Sequence, residues 1–363
     1  TNLDDLNKLI LLYRQLLQWL GGIGIVVLVL AILPILGVGG MYLYKAETSS
    51  PIKDNKLSPR ITETAKSLWG VYLILTVLCA ISYKLAGMDY FDAIGHSFST
   101  VSIGGFSTHN ASIGFYSSDI IKVICIIFMF ISALNFVLHF LFYKTRSFQN
   151  YFSNSEMKTF LSIIIGLLFL ISLFSMGGRL TEIDNINIVF HVFSFVTTSG
   201  FTVSDYDAWP TFVITLIFLS SFIGACAGSA GGGIKVIRLT IALKSIKKQL
   251  LKVIHPKAQI SIKVNEKKVD DITIETILSF IILYIFLFFI SSLLIMMSGH
   301  DLLTAFSSTA ACINNLGPAM GEAYGNYSQL NNFSKLLLSL MMIIGRLEIY
   351  TFIILITKYF WKF

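Results

Sequence analysis

Charge is scarce in this chain. Of its 363 residues only 13% are Asp, Glu, Lys or Arg, against roughly 25% in a soluble domain. The charge deficit, 55% hydrophobic residues, 30 Phe and a mean hydropathy of +0.76 exclude a disordered chain and argue against a cytosolic enzyme. Cysteine is sparse too. Cys79, Cys125, Cys226 and Cys312 fall in or beside apolar runs with no CxxC pair, so neither a disulfide framework nor a zinc site is implied. No HExxH occurs, and no signal-peptide pattern opens the chain. It starts at Thr1 without a Met, and an apolar run begins within ten residues. This reading expects a fragment of a longer protein.

What the chain has in abundance is long apolar runs. About 20 apolar residues cross a bilayer as a helix. Seven runs qualify, at 9–33, 67–86, 120–142, 159–176, 211–238, 276–298 and 336–360. The formal charge of +7 is distributed unevenly between them. Stretches 41–66, 143–158 and 235–275, with the tail 358–363, hold 20 Lys and Arg against 8 Asp and Glu. Stretches 87–119, 177–210 and 299–335 hold only Arg179 and Lys335 against 9 Asp and Glu. Basic loops stay in the cytoplasm, which puts the C-terminus inside and the three acidic stretches outside. The excess of cations therefore reads as topology, and nucleic acid is not an expected partner.

Each acidic stretch carries an apolar segment too short to span, followed by a polar stretch with glycine. Such segments suggest re-entrant half-helices, since irregular backbone at membrane depth is tolerated where it lines a wet cavity. Two of them repeat. DYFDAIGHSFSTVSIGGF at 89–106 and DNINIVFHVFSFVTTSGF at 184–201 share seven identities at an offset of 95, among them Asp89/Asp184, His96/His191 and Gly105/Gly200. The third, DLLTAFSSTAACINNLGP at 301–318, aligns only through Asp301 and Gly317 but holds the same place between spans. Three equivalent loops predict a selectivity filter, in which backbone carbonyls replace an ion's water shell. Its expected residues are Ser102, Ile103, Gly104 and Gly105, then Thr197, Thr198, Ser199 and Gly200, then Asn314, Asn315, Leu316 and Gly317. Half-helix C-termini and acidic outer loops both favour a cation. The competing reading is that the glycines only terminate short helices.

The fifth run breaks at GACAGSAGGGIK, 224–235. Each glycine costs about 1 kcal/mol in a helix interior, so unwinding is expected, as a loop beneath the filter. Gly228, Ser229, Gly231, Gly232, Gly233 and Lys235 are its expected gate residues. The alternative is a flexible helix end. The segment mimics a P-loop, but Ile234 precedes Lys235 and no Ser or Thr follows. It nearly makes a nucleophile elbow, but Ala227 stands where glycine is needed. Arg346 lies within the seventh run. A charge there costs about 2.5–3.5 kcal/mol and should face the bundle interior. Glu348, two residues on, is not its obvious helical partner. Arg346 is the further expected gate residue, meeting the carbonyls of the 224–235 loop or repelling cations when the pore is shut; the alternative is a helix-packing ion pair. His96, His191 and His139 are expected to make structural hydrogen bonds. Segment 244–275 reads as an amphipathic helix, a stop at Pro256 and a hairpin around Asn265–Glu266.

The segments STVSIGGFSTHN (99–110), TTSGFT (197–202), CAGSAGGGIKVIR (226–238), NNLGP (314–318), GRLEIYT (345–351) and YRQLLQWLGGIGIVV (13–27) resemble the membrane subunit of the Trk/Ktr potassium transporters, Trk type, over essentially the whole chain. The resemblance implies an all-α integral membrane fold of repeated span–pore-loop–span units around a central ion path. In this chain that means seven spans and three re-entrant half-helices. Residues 1–45 are then the second span of a first repeat whose filter loop is missing, and 46–150, 151–250 and 251–363 are the second, third and fourth repeats. It implies K+ as the ion held at the filter residues and no organic cofactor. It also implies a homodimer in the bacterial inner membrane, gated by a cytosolic nucleotide-binding ring protein. Residues 235–275 offer that ring a docking surface, or offer lipid headgroups a basic loop. Composition before each glycine (Gly104, Ser199, Leu316) leaves Na+ or mixed permeability as an alternative. An intramembrane enzyme lacks a nucleophile or metal dyad at depth.

Overall fold

The computed structural model describes residues 2–24, 61–176, 183–347, 349–358 and 361. The second half of the first expected span, most of the basic stretch 41–66, Arg179, Glu348 and Lys362 lie outside the described residues. The described chain is helical apart from one two-stranded hairpin.

The helices are α1 (Lys8–Trp19), α2 (Ile61–Leu85), α3 (Tyr90–Val101), α4 (Asp119–Ala133), α5 (Phe136–Thr145), α6 (Gln149–Ser153), α7 (Ser155–Phe174), α8 (Asn185–Val196), α9 (Thr211–Ile223), α10 (Val236–Ile254), α11 (Asp271–Met297), α12 (Leu302–Ile313), α13 (Asn332–Leu347) and α14 (Ile349–Ile356). α7, α11 and residues 66–85 of α2 are long and apolar enough to cross a membrane unaided.

α3, α8 and α12 are each 12 residues long, about 18 Å at the helical rise and too short for a hydrocarbon layer of about 30 Å. Each starts after an Asp in extended conformation, at Asp89, Asp184 and Asp301. Only Asp301 closes its cap, accepting the Thr304 N–H at 3.0 Å. Each short helix packs against the helix before it and the helix after it: α2 and α4 for α3, α7 and α9 for α8, α11 and α13 for α12. The third unit, barely visible as a sequence repeat, thus has the same length and neighbours as the other two.

Two of the later spans are interrupted. The run 120–142 is not one straight helix: α4 and α5 meet at 92°. Leu134 is extended, and the Asn135 side chain caps α5 by accepting the Val137 N–H at 2.9 Å. The run 211–238 breaks as its glycines predict, from Gly224 to Lys235, and α10 then continues to Ile254, well beyond that run.

A single core cluster runs through the helices, from Trp19 and Tyr72 to Ile344 and Ile349. A smaller cluster joins Ile237 and Ile241 of α10 to Ile262, Val264, Val269, Ile274 and Ile277. It seats the hairpin, where Lys263 faces Lys268 and Val264 faces Lys267 around a turn with φ of 47° at Asn265 and 64° at Glu266. The predicted amphipathic helix, stop and hairpin are all present. Lys244 Nζ donates to the Lys263 carbonyl at 2.8 Å and Lys248 pairs with Asp271 at 2.9 Å, which ties α10 to this lobe.

Candidate functional site

The loops after α3, α8 and α12 share one backbone path. Ser102, Thr197 and Asn314 cap the helices in right-handed conformation. Ile103, Thr198 and Asn315 follow at φ of 53°, 62° and 56°. Their N–H groups donate to Thr100, Phe195 and Cys312 at 3.0–3.1 Å, and those of Gly104, Ser199 and Leu316 donate to Ser99, Ser194 and Ala311 at 2.8–2.9 Å. This pair of bonds is the Schellman ending, which usually puts glycine in the left-handed position. Here β-branched residues occupy it twice, at a cost of about 1–3 kcal/mol each.

The glycines therefore do not terminate the helices. They come two residues later, and their positive φ values are 72° at Gly105, 82° at Gly200 and 97° at Gly317. A Cβ on Gly105 would be driven into the Ser199 carbonyl oxygen, and one on Gly200 into that of Leu316. Each of these two loops lies against a carbonyl of the next, and only glycine permits that approach. Gly317 borders a cavity of about 510 Å³. Thr197, Thr198, Ser199 and Asn314 are fully buried within the molecule.

The 224–235 segment lies directly against these loops. Gly232 N–H donates to Thr198 Oγ1 at 2.7 Å, and a Cβ on Gly232 would strike the Asn314 carbonyl oxygen. A Cβ on Gly231 would lie within 2.8 Å of the Thr197 carbonyl oxygen. Gly224, Gly228 and Gly233 have φ of 72–74° and Lys235 has 80°. Lys235 Nζ folds back on the Gly231 carbonyl, and Ser229 Oγ donates to the Cys226 carbonyl at 2.6 Å.

The break in this span and the bend between α4 and α5 satisfy each other. Cys226 N–H donates to the Ala133 carbonyl at 3.0 Å, and Phe136 N–H donates to the Gly228 carbonyl at 3.1 Å. The buried Glu156 carboxylate accepts the Ala227 N–H at 2.7 Å. Backbone groups freed by two broken helices are thereby paired, as burial demands.

Arg346 sits where its charge predicts. Its guanidinium donates to the Ala230 carbonyl at 3.0 Å and to the Gly21 and Gly22 carbonyls at 2.9 and 3.0 Å. The last two belong to a third interruption, where Gly22 leaves helical geometry just after α1. One cation thus gathers the carbonyls of two interrupted spans. Arg346, Gly22, Ala230 and Gly232 line the same cavity as Ile103 and Leu316, so both expected residue sets meet around one space.

Several contacts escape sequence reading. Gln18 Nε2 donates to the Gly104 carbonyl at 2.6 Å, and Gln15 Nε2 donates to that of Phe106 at 3.2 Å. Their only signal is two amides three residues apart on one face of an apolar helix. Tyr284 donates its hydroxyl to the Asn314 side chain, and Asn314 Nδ2 donates to Ser221 Oγ at 3.0 Å. His96 pairs with the Asp92 carbonyl and Ser107 Oγ, both at 2.9 Å, which fastens α3 to its outgoing chain. Among the described residues His191 bonds only its own helix, at Asn187, and it packs on Trp209. His139 is satisfied by Tyr151 and Ile131.

The TrkH family model, described as a cation transport protein, matches residues 1–183 and 178–361. The Trk system potassium uptake protein TrkH of Halomonas elongata is 47% identical over 100% of this chain and 76% of its own length. Its counterpart in Escherichia coli is 45% identical over 99% of this chain and 75% of its own. The crystal structure of the potassium transporter TrkH from Vibrio parahaemolyticus superposes with a TM-score of 0.86 at 41% identity, covering 99% of this chain and 75% of that one. By family model, sequence and fold alike, the chain belongs to the TrkH family of cation transport proteins.

Proposed function

We propose that the protein takes up K+ across the bacterial inner membrane through a carbonyl-lined filter at 102–105, 197–200 and 314–317. The observation that carries this reading is the repeated loop geometry, in which glycines at matching positions let two loops abut the carbonyls of the next. The names of the relatives, Trk system potassium uptake proteins, support K+ as cargo. The ion is substrate, held by oxygen atoms in place of its water. Helix C-termini at Val101, Val196 and Ile313 add negative potential at the loops.

The 224–235 segment acts as the gate, closed in this conformation by Arg346. A cytosolic nucleotide-binding ring protein would regulate it through the lysine-bearing lobe of α10 and the hairpin, with the C-terminus cytoplasmic and the chain paired as a homodimer. The four-repeat division at 45, 150 and 250 belongs to the same reading. Mixed composition at Gly104, Ser199 and Leu316 favours one second reading, permeability to Na+. The test is rubidium uptake into proteoliposomes holding the full-length protein under an outward K+ gradient. Uptake resistant to excess external Na+ is expected. Uptake abolished by equimolar Na+ supports the second reading, and no uptake at all contradicts both.

A further inference from the structure

Sequence treats filter and gate as separate devices, one outside and one beneath. The structure joins them through a single side chain. Thr198 Oγ1 accepts the Gly232 N–H at 2.7 Å and donates to the Thr197 carbonyl at 2.6 Å. Thr197 and Thr198 are 0% exposed, so their side of the relay is shielded, while Gly232 is half-buried beside the cavity. Linked bonds polarise one another where burial lowers the local dielectric. Thr198 is also held at φ 62°, a conformation a β-branched residue rarely adopts. The equivalent positions, Ile103 and Asn315, carry no hydroxyl on Cβ. The contact is therefore peculiar to one of the three loops.

We infer that the Thr198 hydroxyl couples the gate to the filter: the seated gate loop holds the Thr197 carbonyl and the left-handed Thr198 backbone in the K+-selective geometry, and loop departure releases both. Thr198 is in this sense a positioning residue for selectivity. The inference rests on the gate and filter readings above. The two ends of the loop are held differently. Its 226–228 end is stitched to Ala133, Phe136 and Glu156. Its 230–232 end depends on Arg346 and Thr198. Movement at the second end with the first end fixed breaks the relay.

The test measures the Rb+/Na+ permeability ratio and basal flux of the full-length protein in bilayers. Thr198→Val, which keeps the shape and removes the hydroxyl, is expected to lower the ratio about fivefold, the equivalent of one net hydrogen bond. Thr198→Ser should restore it to within about twofold. Arg346→Ala frees the loop without touching the filter, and it too should lower the ratio while raising basal flux. The double variant should lose no more selectivity than Thr198→Val. Raised flux in Arg346→Ala at an unchanged ratio overturns the coupling and leaves the gate standing. Unchanged flux in Arg346→Ala overturns both. Arg346→Ala keeps the question answerable should Thr198→Val fail to fold.

Discussion

Arg346 is the residue on which the lower part of the site depends. Three backbone carbonyls from two interrupted spans converge on its guanidinium, and hydrogen bonds to a charged donor are worth about 1.5–3 kcal/mol each. Arg346→Ala should raise basal rubidium flux about tenfold or more, the equivalent of losing one such bond; flux at the wild-type level would mean that the arginine packs helices and gates nothing. Glu156 is the quieter counterpart at the other end of the loop. Removing its carboxylate orphans the buried Ala227 N–H, which costs about 1–3 kcal/mol. Thermal unfolding in detergent should detect this for Glu156→Ala, with Glu156→Gln, which keeps an oxygen acceptor, close to wild type. Arg346 was legible because a charge inside an apolar run demands an explanation. Glu156 was not, because it sits at the start of a helix, where acids are ordinary, and its partner is 71 residues away. Gln15 and Gln18 were hidden because their partners lie 91 and 86 residues away.

Among elements, the breaks matter more than the spans. The glycines of 224–235 announce their break, since four of them in a short stretch cannot sustain a helix. The bend at Leu134–Asn135 has no such announcement: 120–142 reads as one apolar run, and the bend exists because Cys226 and Gly228 supply backbone partners to Ala133 and Phe136. Only tertiary structure contains that information. Asn135 is the local contribution, as the cap of α5. Asn135→Ala should cost about 0.5–2 kcal/mol, seen as a lower unfolding temperature, and should also loosen the adjoining Gly228 turn, seen as faster amide exchange at 226–229. Exchange confined to 134–138 would show that the two breaks are not mutually supported. The third unit of the proposed filter was legible only by its position. Its helix matches α3 and α8 in length and in ending, yet it shares with them little more than an aspartate and a glycine. The shared loop geometry is written in backbone conformation, which Ile, Thr and Asn each adopt at the same point.

At the scale of the molecule, helix triplets α2–α3–α4, α7–α8–α9 and α11–α12–α13 bring the loops after their short members against one another, and Gly22, Ala230 and Gly232 of the interrupted spans line the adjoining cavity. The apolar runs and the 95-residue repeat pointed to short helices set between longer ones; the adjacency of the loops was not legible, because it rests on contacts between residues about 95 and 116 positions apart. That adjacency is the central claim, and Gly200 tests it most directly. A Cβ there would lie 1.9 Å from the Leu316 carbonyl oxygen of the next loop, and its φ of 82° is strained for a residue with a side chain. In the full-length protein Gly200→Ala should collapse the Rb+/Na+ permeability ratio toward unity while the protein still folds and inserts. A folded, inserted Gly200→Ala protein with the wild-type ratio would contradict the filter assignment.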